Sequence, residues 1–323
     1  RSVATRPLEL RELPSPPLRP GELRLEVTAC GVCRTDLQLA TGDLHARRLP
    51  ITPGHQAVGR VVEIASGVAG WELGDRAGVA WLGGTCGACP LCLEGRENLC
   101  PNARFTGWDR DGGFATELVA DAGYVLRLPE GFDDRSAAPL LCGGVIGYRA
   151  LKLSGIEPGE RIGLFGFGAS ALLALQVARR WGCRVFVVTR SRAEQSRALA
   201  LGAEWAGSYE EAPPVPLDAA VTFAPVGDVV VAALRSLAEG GTVAVNAIHL
   251  DRIPEFPYEL LWKERVLRSV ANFTRQDARE LLALAAEIPL VTSFDVFPLV
   301  DANTALARLE AGKIDGAAVL TVV

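Results

Sequence analysis

From Arg161 onward the chain alternates short apolar runs with helical stretches, and this alternation restricts its fold more than any other feature. Strands are expected over 161–165, 184–188, 219–223, 242–245 and 266–271, with helices over 169–181, 193–201 and 229–238. Successive parallel strands need a crossover helix, so repeated βα units of this length predict a doubly wound parallel sheet of the α/β class. The tail from about Arg275 carries a helix, an apolar run at 294–299, a second helix at 303–311 and a last strand at 316–323. The first ~140 residues read instead as β-rich, with β-branched residues enriched at 23–29 and 57–64 and Gly, Pro and Asp clusters between the runs. The pattern changes after Pro139-Leu140-Leu141-Cys142-Gly143-Gly144. Two such patterns in 323 residues predict two domains with separate cores.

Gly166-Phe167-Gly168-Ala169-Ser170-Ala171 follows the first of these strands and opens a helix, the context that a dinucleotide fingerprint requires. Gly166 suits the tight turn, Gly168 the approach of a pyrophosphate to the helix N-terminus, and Ala171 stands for the third glycine. An NAD site would carry an acid about 20 residues further on to bind the ribose 2′-hydroxyl. That count reaches Val188-Thr189-Arg190-Ser191-Arg192, which holds no acid. Arg190 and Arg192 can pair with a 2′-phosphate, and Thr189 and Ser191 can donate hydrogen bonds to it, so NADP(H) is the expected cofactor.

Eight cysteines are present, and four of them, Cys86, Cys89, Cys92 and Cys100, stand at C-x2-C-x2-C-x7-C. No charged-then-apolar leader opens the sequence and no run of 18 uncharged apolar residues occurs, so a cytoplasmic location is expected. In a reducing compartment this crowding favours a metal over disulfides. Four thiolates close the shell of a zinc ion, which braces a loop and leaves no position for substrate. A net charge of −5 offers no electrostatic attraction for nucleic acid or a membrane surface. Three further candidate ligands lie elsewhere: Cys33 in Gly31-Val32-Cys33-Arg34-Thr35-Asp36-Leu37, His55 in Pro53-Gly54-His55-Gln56, and Cys142 at the junction of the two halves. Two thiolates and one imidazole form a Cys2His set with an open fourth position, the pattern of a catalytic zinc.

In the order and spacing of these segments, the sequence resembles the zinc-dependent medium-chain alcohol dehydrogenases over essentially its whole length. The basic, hydroxyl-rich stretch at 189–192 is similar to the NADP-preferring, cinnamyl-alcohol-dehydrogenase-like branch. The resemblance implies a β-rich GroES-like catalytic domain (1–143 and 276–323, with a structural-zinc lobe at 86–100) and a Rossmann domain at 144–275. It implies two zinc ions per chain, one held by Cys33, His55 and Cys142 and the other by the four-cysteine lobe. It makes Thr35 the hydroxyl that begins the proton relay, Asp36 the carboxylate that orients the ligand histidine, Arg34 a neighbour of the pyrophosphate and Trp81 an aromatic that narrows the substrate pocket. A homodimer or homotetramer acting on a small alcohol or aldehyde is the expected assembly. Two positions depart from the family pattern. Gln56 stands where a glutamate usually follows the ligand histidine, and Gln38 stands where the outer relay histidine is often found, so the proton must leave by water or the ribose hydroxyl. His45 is a possible substitute.

Cys30 and Cys183 read as apolar filler, and His249 is assigned no role. A zinc polyol or secondary-alcohol dehydrogenase using NAD(H) is the nearest alternative, but Cys142 argues against the carboxylate ligand often used there. A non-enzymatic nucleotide- and zinc-binding protein, or a zinc-free reductase, need not keep Cys33, Thr35, Asp36, His55 and Cys142 together.

Overall fold

A computed structural model describes residues 8–247, 250–288 and 290–322, so His249 and Val323 lie outside the described residues. The chain divides into two compact units, 1–142 with 273–323, and 143–272. Phe273, Thr274 and Arg275 fall with the first unit, where Thr274 caps the helix Arg275–Glu287 through a capping box with Asp277.

The first unit is built on β1 (Glu22–Val32). One side of β1 pairs antiparallel with β2 (Ala57–Ile64), which continues through β3 (Arg76–Val79). A short ribbon pairs β4 (Leu82–Gly84) with β5 (Arg104–Phe105). The other side of β1 is shared: its first half pairs with β6 (Glu117–Asp121), while β7 (Val125–Arg127) extends the sheet from β3. Leu23, Leu25 and Val27 point into the core, and then so do Cys30 and Val32, an odd-to-even change of phase. A bulge causes it. Val27 opposes Gly59 and Ala29 opposes Val58, leaving Thr28 as the extra residue, whose hydroxyl donates to Asp134 Oδ2 at 2.7 Å. The broken alternation carries the strand to Val32, three residues beyond the β-branched stretch at 23–29.

The second unit contains β8 (Arg161–Phe165), β9 (Arg184–Val188), β10 (Trp205–Gly207), β11 (Leu217–Thr222), β12 (Leu237–Val245) and β13 (Val266–Ser269). All pair parallel in the order β10-β9-β8-β11-β12-β13, the doubly wound order whose direction of growth reverses between β8 and β11. Strands covered on both faces read as continuous apolar runs, which makes this sheet plain in the sequence. The sixth strand, β10, has only three residues and carries no such signature. Leu237 pairs with Leu217, so the preceding helix stops at Arg235 rather than 238.

The chain then returns to the first unit, where β14 (Phe294–Pro298) lies parallel to β15 (Ala317–Thr321), and β15 pairs with the second half of β1. The helices are α1 (Arg34–Thr41), α2 (Pro90–Leu93), α3 (Asp134–Ala137), α4 (Gly143–Ser154), α5 (Ala169–Arg180), α6 (Arg192–Ala200), α7 (Gly227–Arg235), α8 (Arg275–Glu287) and α9 (Ala302–Glu310). Helix α4 escapes the sequence reading because Gly143, Gly144 and Gly147 lower its intrinsic propensity; it forms by packing against α5. Among the described residues no helix is long and apolar enough to cross a membrane. Leu25→Ala, at a fully buried position of β1, is expected to cost about 2–5 kcal/mol. Denaturant unfolding followed in the first unit checks this, and a cost below about 1 kcal/mol would mean that the β1 face does not carry the core.

Candidate functional site

Cys33 ends β1 and caps α1. Its extended backbone turns the sulfur over the helix start, where Sγ accepts the Thr35 N–H at 3.3 Å, and Asp36 Oδ2 reaches back to accept the Cys33 N–H at 2.9 Å. This is a capping box with a thiol in place of the usual hydroxyl. Asp36 Oδ1 accepts the Gly54 N–H at 3.1 Å, fixing the turn that carries His55. Gly54 has φ +96°, and a Cβ there would stand 2.4 Å from the Phe114 ring, so both conformation and space require glycine. Cys142 follows the buried turn Ala138–Leu141. The three ligand atoms of Cys33, His55 and Cys142 lie within 4.8 Å of one another.

The donor set fits zinc. Cys33 Sγ and His55 Nε2 are 3.4 Å apart, against roughly 3.5 Å for a thiolate and an imidazole on one tetrahedral ion. His55 is 1% exposed, and its Nδ1 lies 3.3 Å from Asp36 Oδ1, within ion-pair reach but out of hydrogen-bond alignment. A small rotation of the ring toward a metal on Nε2 would let Nδ1–H donate to Asp36, the support that ligand histidines usually have. The three groups shift one another's protonation. A hydrogen bond from Cys142 brings the Cys33 thiol down to about 5 against the opposing effect of burial, aided by the His55 charge. The bond to Cys33, together with burial, drives the Cys142 thiol up. Burial disfavours the His55 imidazolium, but the charges of Cys33 and Asp36 more than offset it and raise the pKa.

Thr35 is half-buried and Arg34 exposed on the first turn of α1. Trp81 is buried with its ring edge-on to His55 at 4.9 Å, and it stacks with Phe105 and Trp108 at 5.1 and 5.9 Å. Sequence reasoning names Trp81 and misses the other two rings, which no periodicity links to it. Gln56 is buried, its side chain lying against the backbone of Gly31. His45 is exposed, and its carbonyl accepts the Trp108 Nε1–H at 2.8 Å.

The lobe brings its four sulfurs together. Cys86–Cys92, Cys89–Cys92 and Cys86–Cys100 are separated by 3.9, 3.5 and 3.5 Å, close to the tetrahedral edge of about 3.8 Å that Zn–S bonds of ~2.3 Å produce. The N–H groups of Ala88 and Cys89 hold the Cys86 thiol down at about 6. Glu97, also in the lobe and only 7% exposed, accepts two hydrogen bonds from the Arg275 guanidinium at 2.9 and 2.6 Å. Arg275 stacks over Tyr124, whose hydroxyl meets Thr85 at 2.6 Å.

In the second unit the turn after β8 has the form a pyrophosphate needs. Gly166 has φ +92°, with the Ala224 backbone nitrogen 3.0 Å from where a Cβ would be. Gly168 caps α5 without any side-chain bond to its first N–H groups, and a Cβ on Gly168 would meet nothing within 4 Å. Ala169 opens the helix, and Ala171 is fully buried. The turn lies at the switch between β8 and β11, where doubly wound sheets bind ligands.

At the end of β9, Arg190, Ser191 and Arg192 are exposed. Ser191 caps α6, accepting the Glu194 N–H at 3.3 Å. Thr189 is 4% exposed and donates its hydroxyl to the Glu194 carboxylate in a short hydrogen bond. Glu194 is the partner of Thr189 that sequence reasoning misses, because counting along the strand ends at Arg192 while the helix turns Glu194 back to Thr189.

The family model described as the alcohol dehydrogenase GroES-like domain matches residues 19–130, and that of the zinc-binding dehydrogenases matches 171–287. A probable alcohol dehydrogenase, AdhA, of Mycobacterium tuberculosis is 48% identical over 98% of this chain and 94% of its own length. The chain belongs to the zinc-dependent medium-chain alcohol dehydrogenases. An alcohol dehydrogenase of Geobacillus stearothermophilus is 36% identical over 97% of the chain and 95% of its own length. Among solved structures, a cinnamyl alcohol dehydrogenase of Sorghum bicolor superposes with a TM-score of 0.86 at 27% identity, covering 93% of this chain and 90% of that one. The GroES-like and Rossmann folds expected from the sequence are the folds of this family.

Arg275 holds the Glu97 carboxylate below its ordinary pKa, against the effect of burial. The pair therefore stabilises the fold above pH about 4.5, and this contribution is lost as pH falls through the depressed value. Arg275→Ala, which removes the guanidinium but keeps the backbone N–H of residue 275 on the buried Glu97 carboxylate, is expected to cost about 1–3 kcal/mol near neutrality. It should also flatten the fall of Tm between pH 5 and pH 3, because the unpaired acid is relieved by protonation. Parallel acid slopes in thermal melts of the two proteins would contradict the pairing.

Proposed function

We propose that the chain is a zinc-dependent oxidoreductase that moves a hydride reversibly between NADP(H) and a primary alcohol or aldehyde. The observation that carries this reading is the convergence of Cys33, His55 and Cys142 with Asp36 behind them, three ligands in place of the four that close the lobe. When bound, zinc at these residues would polarise the substrate oxygen, and the nicotinamide would carry the hydride. Asp36 holds the helix cap, the Gly54 turn and the His55 ring in register. Thr35, adjoining both Cys33 and Asp36, passes the proton to and from the substrate oxygen. Trp81, stiffened by Phe105 and Trp108, excludes water and narrows the space beside His55. Cys86, Cys89, Cys92 and Cys100 would hold a second, structural zinc, which their convergence supports.

Gly166, Gly168 and the start of α5 at Ala169 take the pyrophosphate. Arg190 and Arg192, with the Ser191 hydroxyl, favour a 2′-phosphate on the adenosine ribose, which supports NADP(H) over NAD(H), while the Thr189 hydroxyl is engaged by Glu194. A small alcohol or aldehyde as the sole partner besides cofactor and metal, a homodimer or homotetramer and a cytoplasmic location complete the reading.

Metal quantification beside assays with both cofactors on aliphatic and aromatic aldehydes tests this reading. About two zinc ions per chain and a higher kcat/KM with NADPH are expected. Cys33→Ala should abolish turnover and lower the zinc content from about two to about one per folded chain; retained turnover would refute the catalytic ligand set. Arg190→Ala should raise the KM for NADPH by about tenfold and that for NADH far less, since a surface arginine–phosphate contact amounts to about 1–2 kcal/mol. Equal effects on both would refute the phosphate clamp.

A further inference from the structure

The end of β9 carries a carboxylate that a 2′-phosphate clamp does not call for. Glu194, half-buried one turn into α6, accepts the Thr189 hydroxyl proton. That donor is therefore committed within the protein and does not point outward to a phosphate. Thr189 is further held by Gln195, whose Nε2 donates to its carbonyl at 2.8 Å, so the strand end is tied to this turn of helix. Ser191 is also engaged, its oxygen accepting the Glu194 N–H while its own hydroxyl proton remains available.

The carboxylate and the arginine beside it act on one surface. Burial raises the pKa of the Tyr209 phenol, the Arg190 charge lowers it and the Glu194 charge raises it, so Tyr209 lies within the field of both. Arg190 also acts on Glu210, whose carboxyl is lowered chiefly by Ser208 and by its own backbone, and least by this cation. A negative charge thus stands at the same strand end as Arg190 and acts on Tyr209 with the opposite sign. A dianionic 2′-phosphate beside Glu194 meets a like charge, whereas an unphosphorylated ribose 2′-hydroxyl meets an acceptor.

We propose that Glu194 is the residue that sets how far this chain discriminates a phosphorylated from an unphosphorylated adenosine ribose, by withdrawing the Thr189 hydroxyl and opposing the 2′-phosphate. Glu194 therefore tempers the NADP(H) preference and leaves NAD(H) usable. This rests on the dinucleotide reading of the Gly166–Ala171 turn.

Calorimetric titration of the full chain with 2′,5′-ADP and 5′-AMP tests the proposal without turnover. Glu194→Gln should tighten 2′,5′-ADP about five- to tenfold and leave 5′-AMP within about twofold, an effect that shrinks as salt is raised. Glu194→Ala, which also frees Thr189, should shift affinity in the same direction. Unchanged 2′,5′-ADP affinity in both variants, or equal tightening of both fragments, overturns the proposal. Arg190→Ala is titrated alongside. If it weakens 2′,5′-ADP while the Glu194 variants change nothing, the nucleotide site stands and only the role of Glu194 fails. If neither fragment binds the native chain or any variant, both readings fail together.

Discussion

One buried carboxylate organises the metal-ligand region. Asp36 is 2% exposed, and both of its oxygens are in use. One oxygen accepts the Cys33 N–H and closes the start of α1, while the other accepts the Gly54 N–H and faces His55. A buried anion is costly unless hydrogen-bonded and opposed by positive charge. The two backbone N–H groups supply the first condition, and a protonated His55 or a metal behind it supplies the second. Two of the three candidate ligands, on segments 22 residues apart, are thereby set by a single side chain.

The two cysteine clusters use the same metal chemistry to different ends. In the lobe four sulfurs converge, a set that would close the shell of an ion, and Glu97 ties the loop to Arg275. At Cys33, His55 and Cys142 only three ligands converge, and the surrounding groups are arranged to orient them. Ligand number and supporting shell, not the prominence of the motif, separate a brace from a centre able to bind substrate.

Much of this was legible in the sequence because it is local. The strands at 161–165 and 184–188 coincide with the expected bounds, since a parallel strand buried on both faces is an uninterrupted apolar run. Cysteine spacing and the Gly166-x-Gly168 turn are likewise read within a few residues. What escaped is what depends on tertiary register or on distance along the chain. The Thr28 bulge reverses which face of β1 is buried, and nothing in residues 22–32 announces it. Arg275 reaches Glu97 across 178 positions. Glu194 lies outside the strand-end window and returns to it only because a helical turn reverses direction there. Each of these is a polar or packing contact chosen by the folded arrangement, where propensity carries no signal.

The sharing of β1 between early and late partners has a consequence for biosynthesis. Its residues Ala29 to Val32, immediately before Cys33, hydrogen-bond on one side to Ala318–Thr321. A ribosome delivers those partners only after the whole of 143–272 has emerged with the described strands of its own sheet. The inserted unit is thus free to fold while its host still has an open strand edge beside a ligand cysteine. That edge stays open until β15 (Ala317–Thr321) emerges to pair with it.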